Sequence, residues 1–279
     1  MNDEESPSGD QSRQINRRHW EEVCAHHPDC GYYDLERFRR TRCSLSSVEM
    51  SEVGNVDGLR GVHLQCGIGL ETMSLSGLGA DMTGVDFADS AVTVARRLAQ
   101  ECGFATRFEQ LDVFEAGGKW PAHFDFVYTS HGVLRWLPSL RKWSESVAAL
   151  LKPGGFFYVF EIHPLLYRLQ AVDHESMVLE GDYFEIGPKV KRRRETHVGA
   201  LPSLENDLLV HFDWRTSDIL NALLEVGLHL EFYNEHIGTS YSRKGMISEL
   251  RDNLWHIKGP TVPMPLAFSL RARKPARRL

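Results

Sequence analysis

Residues 65–69, Gln-Cys-Gly-Ile-Gly, close one apolar run and open a helical one, so two glycines stand where the chain turns from strand to helix. Such a turn lets backbone N–H groups approach a ligand without side-chain interference. Asp86 ends the next apolar run, 19 residues after Gly67. A carboxylate only accepts hydrogen bonds, so it suits the paired 2′ and 3′ hydroxyls of a ribose. Asp112, in Glu-Gln-Leu-Asp-Val-Phe at the end of a third run, suits the amino group of an adenine, and Phe87 offers a ring to pack on it. Together these residues describe an adenosine site.

Two residues narrow the ligand. The dinucleotide fingerprint needs a third glycine at position 72, where this chain has Thr72. Glu71 stands in the first helical turn, where a pyrophosphate would lie, and its charge would repel the phosphates that a helix N-terminus attracts. A ligand with adenosine but no phosphate avoids the conflict. S-adenosylmethionine, with an adenosine, a sulfonium and an amino-acid end, meets that condition.

Transfer of a methyl group from a sulfonium is an in-line displacement by an acceptor atom. The protein's main task is to align the acceptor and exclude water, and alignment alone supplies ~7–11 kcal/mol. A base is needed only when the acceptor keeps its proton at neutral pH. His131 follows the fourth apolar run and His163 the fifth, so both are candidate bases at the sulfonium end of a cleft. His211, His236, Glu161 and Glu235 are lesser candidates. The His26-His27 pair between Cys24 and Cys30 has no common zinc spacing, so no metal is expected.

The elements that must hold these residues alternate. Gly-Val-His-Leu-Gln-Cys (61–66) and Asp-Met-Thr-Gly-Val-Asp (81–86) read as the first two strands, with a helix between them stopped at Gly79. Residues 90–103 read as a second helix, capped by Asp89 or Ser90 and ended by Gly103. Strands follow in 104–112 and 124–130, then a helix over 140–151 stopped by Lys-Pro-Gly-Gly, then a strand over 156–162. This rhythm predicts a parallel sheet covered on both faces. It breaks over 164–213, read as an insertion covering the acceptor site at the carboxyl edge of the sheet, where open α/β sheets bind ligands. It resumes with a helix from Thr216 and two strands, 228–237 and 265–274. Upstream, residues 1–12 are Ser-, Gly-, Pro- and acid-rich and are expected to be disordered. Residues 13–56 form an N-terminal segment, with a helix expected over 14–27 and Ile15, Trp20 and Val23 as its apolar contacts. The chain from 13 to 279 reads as one domain.

Over roughly residues 30–273 the chain resembles the class I S-adenosylmethionine-dependent methyltransferases, in particular a bacterial small-molecule group. The blocks that carry the likeness are 64–96, 124–138 (Phe-Asp-Phe-Val-Tyr-Thr-Ser-His-Gly-Val-Leu-Arg-Trp-Leu-Pro), Leu-Lys-Pro-Gly-Gly and Glu-Ile-His-Pro. The resemblance implies a Rossmann-like seven-stranded sheet of order 3-2-1-4-5-7-6, with strand 7 antiparallel and helices on both faces. It implies cofactor contacts from Tyr33, Gln65, Cys66, Gly67, Gly69, Asp86, Phe87, Asp112, Val113 and Ser130, with Tyr32 and Tyr33 closing over the cofactor. The family's loop usually opens with an acid, where this chain has His63, and has a first glycine where this chain has Gln65. Backbone carbonyls near Gln65 and Gly67 are then the expected hold on the methionine ammonium. The 237–263 separation between the last two strands, with Pro260 and Pro263 in it and Pro265 just after it, is expected to add to the substrate wall.

A net charge of −6 argues against a general nucleic-acid binder, and neither Asn-Pro-Pro-Tyr nor Pro-Cys follows the fourth strand, as in enzymes that methylate nucleobases. Lys189–Arg194 is the one basic run, read as a solvated face with an anionic substrate or RNA as the alternative. Trp136, Tyr167, Tyr183, Phe184 and Trp214 are read equally as acceptor pocket or as core. Five cysteines without a paired framework point to reduced thiols in a cytoplasmic protein, and no apolar run reaches the ~20 residues of a membrane helix. The expected function is methyl transfer to an O, N, S or C atom of a small-molecule acceptor, in secondary metabolism, with no nucleic-acid or membrane partner. An RNA or protein methyltransferase and a non-catalytic cofactor-binding module are the alternatives, and a homodimer stays open.

Overall fold

The computed structural model describes residues 6–276, apart from 31, 173–176, 194, 197–198, 201–203, 241–247 and 258–262. Residues 1–5 of the expected tail and Arg194 of the basic run lie outside the described residues. One seven-stranded sheet organises the chain: β1 (Arg60–Leu64), β2 (Asp81–Asp86), β3 (Arg107–Gln110), β4 (Phe124–Ser130), β5 (Leu151–Ile162), β6 (His229–His236) and β7 (Ala267–Arg273). Their order is β3-β2-β1-β4-β5-β7-β6. β7 runs antiparallel to both β5 and β6, while β1 to β5 pair in parallel. This is the sheet that the resemblance implied.

Alternation along β4 and β5 divides the core. Val127, Phe157 and Val159 face α6 (Val113–Lys119), α7 (Leu140–Leu150) and α8 (Thr216–Glu225), with Trp143 and Leu150 at the centre. Phe126, Tyr128, Phe156, Tyr158 and Phe160 point the other way, toward α3 (Ser47–Val53). The two helices that follow β1 and β2 are α4 (Leu70–Gly77) and α5 (Asp89–Cys102), joined by a third cluster around Phe108. α6 was not expected. Its sequence, Val-Phe-Glu-Ala-Gly-Gly-Lys, carries two poor helix formers, and it forms because Asp112 caps it and Gly117 packs on Ser146 of α7.

The N-terminal segment departs from expectation in its start. α1 spans Gly9–Ala25 and so begins inside the stretch expected to be disordered, because Ser8 and Gln11 close a reciprocal capping box. Its most buried side chains include Ser12, Asn16 and His19 rather than Ile15. Asn16 bonds both backbone groups of Val210, donating to its C=O at 2.7 Å and accepting from its N–H at 2.8 Å. His19 meets the C=O of Asn206 at 2.7 Å, and Glu22 accepts the N–H groups of Glu205 and Asn206. α1 is thus latched to the 164–213 segment, whose strands Pro188–Arg192 and Leu208–Phe212 pair antiparallel. A second small sheet, Gly238–Thr239, Ser248–Arg251 and Leu254–Ile257, leans on α2 (Leu35–Thr41) through Arg37 to Asn253 and on α3 through Ser47 to Asp252, and Asn253 also donates to the C=O of Leu45. No helix among the described residues is long and apolar enough to cross a membrane.

Candidate active site

β1, β2, β4 and β5 end at one edge, so Gln65, Asp86, Ser130, His131 and Glu161 share it. The turn after β1 is sterically exacting. Gly69 has φ +81°, and a Cβ there would stand 2.4 Å from Phe108. Gly67 has φ +53° and open space where a Cβ would stand, as a close backbone approach to a ligand requires. Gln65 adopts φ +56° at the family's first-glycine position; its amide donates to the C=O of Val133 at 3.2 Å, and its Oε1 is buried without a partner.

Asp86 accepts the N–H of Gly67 at 2.9 Å and of Ala88 at 3.0 Å, one on each oxygen. Each oxygen keeps a second lone pair for a hydroxyl. Cys24 and Trp20 of α1 pack with Ala88 and Ala91 above it, leaving Asp86 7% exposed. Burial pushes its carboxyl up to about 6, against the pull of the Ala88 and Gly67 N–H groups. The N-terminus of α5 was expected to be capped by Asp89 or Ser90. Ala88 takes that position instead, and Glu21 of α1 accepts the N–H groups of Asp89 and Ser90 at 2.7 and 2.8 Å. Asp112 is more committed than expected: one oxygen caps Phe114 at 2.9 Å and the other lies 3.5 Å from Arg13 of α1. Phe87 is half-buried beside them, whereas the side chains of Cys66 and Val113 are packed into the core. Tyr33 packs with Cys66 and Ile68 beside the turn.

His63, at the position of the missing acid, is 1% exposed, with Nδ1 2.8 Å from the Thr72 hydroxyl and Nε2 3.2 Å from Ser130. Burial, aided by nearby His131, pushes it down to about 3, so it is neutral. His131 makes the contact that sequence spacing did not show: its Nε2 lies 3.1 Å from Glu49 of α3. Glu49 also accepts from the Tyr128 hydroxyl at 2.6 Å and from Ser46. Burial alone would raise the Glu49 carboxyl, but His131, Tyr128 and Ser46 outweigh it and hold it at about 2. Burial likewise works against a charged His131, and Glu49 reverses that, so His131 sits above its ordinary value. Nδ1 of His131 is buried and without a hydrogen-bond partner. The one sign of Glu49 in the sequence was a capping box, Ser46-x-x-Glu49, which is formed.

His163 has no nitrogen to spare. Nδ1 accepts the N–H of Leu165, capping a short helical turn, and Nε2 meets Glu235 at 3.1 Å. Both contacts tie the His163 ring to the loop after β5. Glu161 accepts the N–H groups of Gly132, Val133 and Leu134 and so shapes the loop after β4. His236 bonds Ser269, and His211 lies 3.8 Å from Asp213. Asp213 gathers Arg135, Arg168 and Lys189 at 2.9–3.2 Å, and Arg192 reaches Asp207 at 2.8 Å, so these members of the basic run are paired within the chain. Tyr167 and Trp214 line a crevice with Arg135 and Phe212, Trp136 packs edge-on to Trp20, and Phe184 is 70% exposed. Among the described residues no group of three or more His, Cys, Asp or Glu is placed to hold a metal.

The open turn at Gly67, the unpartnered Gln65 oxygen and the spare lone pairs of Asp86 fit an adenosine ligand with a polar tail. Comparison with known proteins points the same way. A family model described as a methyltransferase domain matches residues 62–157. A ubiquinone biosynthesis O-methyltransferase of Bordetella pertussis is 30% identical over 127 residues, 45% of this chain and 52% of that protein. Its counterpart in Xanthomonas euvesicatoria is 32% identical over 149 residues, 52% of this chain and 62% of that protein. The chain thus spans about half the length of the first of these curated relatives and somewhat more of the second. In fold it is similar to an S-adenosylmethionine-dependent methyltransferase from Mesorhizobium loti (TM-score 0.57, 20% identity, 81% of this chain and 95% of that one). It is also similar to the 1,6-didemethyltoxoflavin-N1-methyltransferase of Burkholderia thailandensis, solved with its substrate and S-adenosylhomocysteine (TM-score 0.56, 15% identity, 98% and 93%).

Proposed function

We propose, from the premise that the domain and fold are those of the class I S-adenosylmethionine-dependent methyltransferases, that this chain transfers a methyl group from S-adenosylmethionine to a small-molecule acceptor. The observation that carries the reading is the open glycine turn flanked by Asp86 and followed by Glu71, which accepts an adenosine but repels a pyrophosphate. Asp86 would hold the ribose hydroxyls, the Gly67–Gly69 turn would face the amino-acid end, and Phe87 would flank the adenine. The bound donor supplies a methyl group already activated on a sulfonium sulfur.

The chain's own contribution is position and a proton acceptor. Glu49, ionised and buried, accepts from Nε2 of His131 and fixes the ring. That leaves Nδ1 as the lone pair able to take a proton from an acceptor hydroxyl as the new bond forms. α1 and the 164–213 segment, latched through Asn16, wall off water from that edge. The pairing of Lys189 and Arg192 with internal acids favours a small acceptor over RNA, since it withdraws those cations from a polyanion. A place in secondary metabolism follows from the small-molecule reading alone.

Calorimetry with S-adenosylhomocysteine and NAD, followed by transfer of labelled methyl into a fractionated extract, tests this. Binding of the former only, with label in the small-molecule fraction, is expected. Equal or tighter NAD binding, or label appearing in RNA or protein, refutes it.

A further inference from the structure

We propose that Glu71 is the carboxylate that receives the ammonium group at the methionine end of S-adenosylmethionine, replacing the acid that position 63 lacks. The inference rests on the reading of the site as one for that cofactor, and it concerns the amino-acid half of the ligand rather than the adenosine half.

Position 63 cannot do the work. Both nitrogens of His63 are engaged, by Thr72 and Ser130, and the ring is buried and neutral. Glu71 lies in the first turn of α4, two residues past Gly69, and is half-buried. The groups that feel its charge come from several elements: Tyr33 from the N-terminal segment, Cys66 from the turn, Tyr128 and His131 from β4 and the residue after it, and Glu49 from α3. Its place two residues past Gly69 sets Glu71 next to the glycine turn, within electrostatic reach of the carboxyl end of β4. Beside the turn, the buried Oε1 of Gln65 has no partner and supplies a second acceptor for an ammonium.

Charge count gives the ligand its sign. Three carboxylates, Glu49, Glu71 and Glu161, act on the one imidazole of His131, and Glu49 takes it by direct contact at 3.1 Å. Glu71 makes no ion pair among the described residues. Burial raises its carboxyl, with His131 opposing, and a group in that condition gains most when a cation arrives. A first-turn acid also complements the helix dipole of α4, a role that would stabilise the fold without discriminating between ligands.

Two ligands separate these roles. S-adenosylhomocysteine carries the ammonium, and 5′-methylthioadenosine has the same adenosine and thioether but no amino-acid end. Dissociation constants of both are measured by calorimetry for the wild type, Glu71→Gln and Glu71→Asp. Glu71→Gln should weaken S-adenosylhomocysteine about ten- to hundredfold, the scale of a lost charged hydrogen bond, and leave methylthioadenosine within about twofold. Glu71→Asp should recover part of the loss. Equal weakening of both ligands, an unchanged S-adenosylhomocysteine, or a wild type that binds both equally well would overturn the assignment. A wild type that binds neither would instead overturn the cofactor reading itself.

Discussion

Asp86 is raised to about 6 by burial, so the proposed hold of Asp86 on the ribose predicts a cofactor affinity that depends on pH. Ribose hydroxyls donate to a carboxylate, so the ligand selects the ionised form, and a protonated Asp86 must lose its proton first. At about pH 7 roughly nine-tenths of the ligand-free protein is in the competent form, and at about pH 5 roughly one-tenth, so the apparent Kd should weaken about tenfold between them. The direction is fixed: affinity is lost as pH falls through about 6 and is level above about pH 7. Titration calorimetry with S-adenosylhomocysteine across this range reads the effect, along with the proton released near the midpoint. Asp86→Asn should abolish this step and weaken binding at neutral pH by about ten- to hundredfold. Cys24 and Trp20 of α1 pack on Ala88 and Ala91, next to Asp86 in the chain, and Glu21 of α1 also raises the carboxyl, so removing α1 should move the step to lower pH. An Asp86→Asn protein with wild-type affinity and the same pH step would refute the assignment of Asp86 to the ribose.

The Glu49–His131 pair predicts a second pH effect: for a hydroxyl acceptor, kcat should fall toward acid through a midpoint above that of an ordinary histidine, because Glu49 favours the protonated ring. His131→Ala should cost about 10²–10⁴ in kcat with cofactor affinity nearly intact, and Glu49→Gln should move the midpoint down. An unchanged limb in Glu49→Gln would separate the two residues functionally. At the latch, Asn16→Ala strands both backbone groups of Val210, so chemical denaturation should show a loss of ~2–4 kcal/mol, with faster hydrogen exchange at the Val210 amide. A change below about 0.5 kcal/mol with unaltered exchange would mean that the helix and the insertion are held by other contacts.

What the sequence disclosed and what it withheld divide along the range of the interactions. The glycine turn, Asp86 and the strands themselves were legible because each depends on a local signal: a strand-to-helix turn needing positive φ, an acid at a strand end, an apolar period; the order of the strands came from the family resemblance. α1 was misjudged at its start because its buried face is Ser12, Asn16 and His19, which no apolar periodicity reveals. Such a face is stable only because the strand Leu208–Phe212 presents backbone groups to it, a partner nearly two hundred residues away in sequence. α6 escaped for a related reason, since its two glycines are tolerated by contact with α7. The candidate base shows the same division in its chemistry. His131 was placed correctly at the end of β4, but its protonation belongs to Glu49, 82 residues upstream and visible in the sequence only as half of a capping box. His163, equally well placed at the end of β5, is bound to Glu235 and to the Leu165 N–H. Two histidines at equivalent strand ends therefore differ in partners that arrive from other elements: one keeps an unpartnered nitrogen on a ring held by a buried carboxylate, and the other has both nitrogens engaged. Strand-end position nominates a residue for chemistry, and the distant partner decides whether it has a lone pair left to perform it.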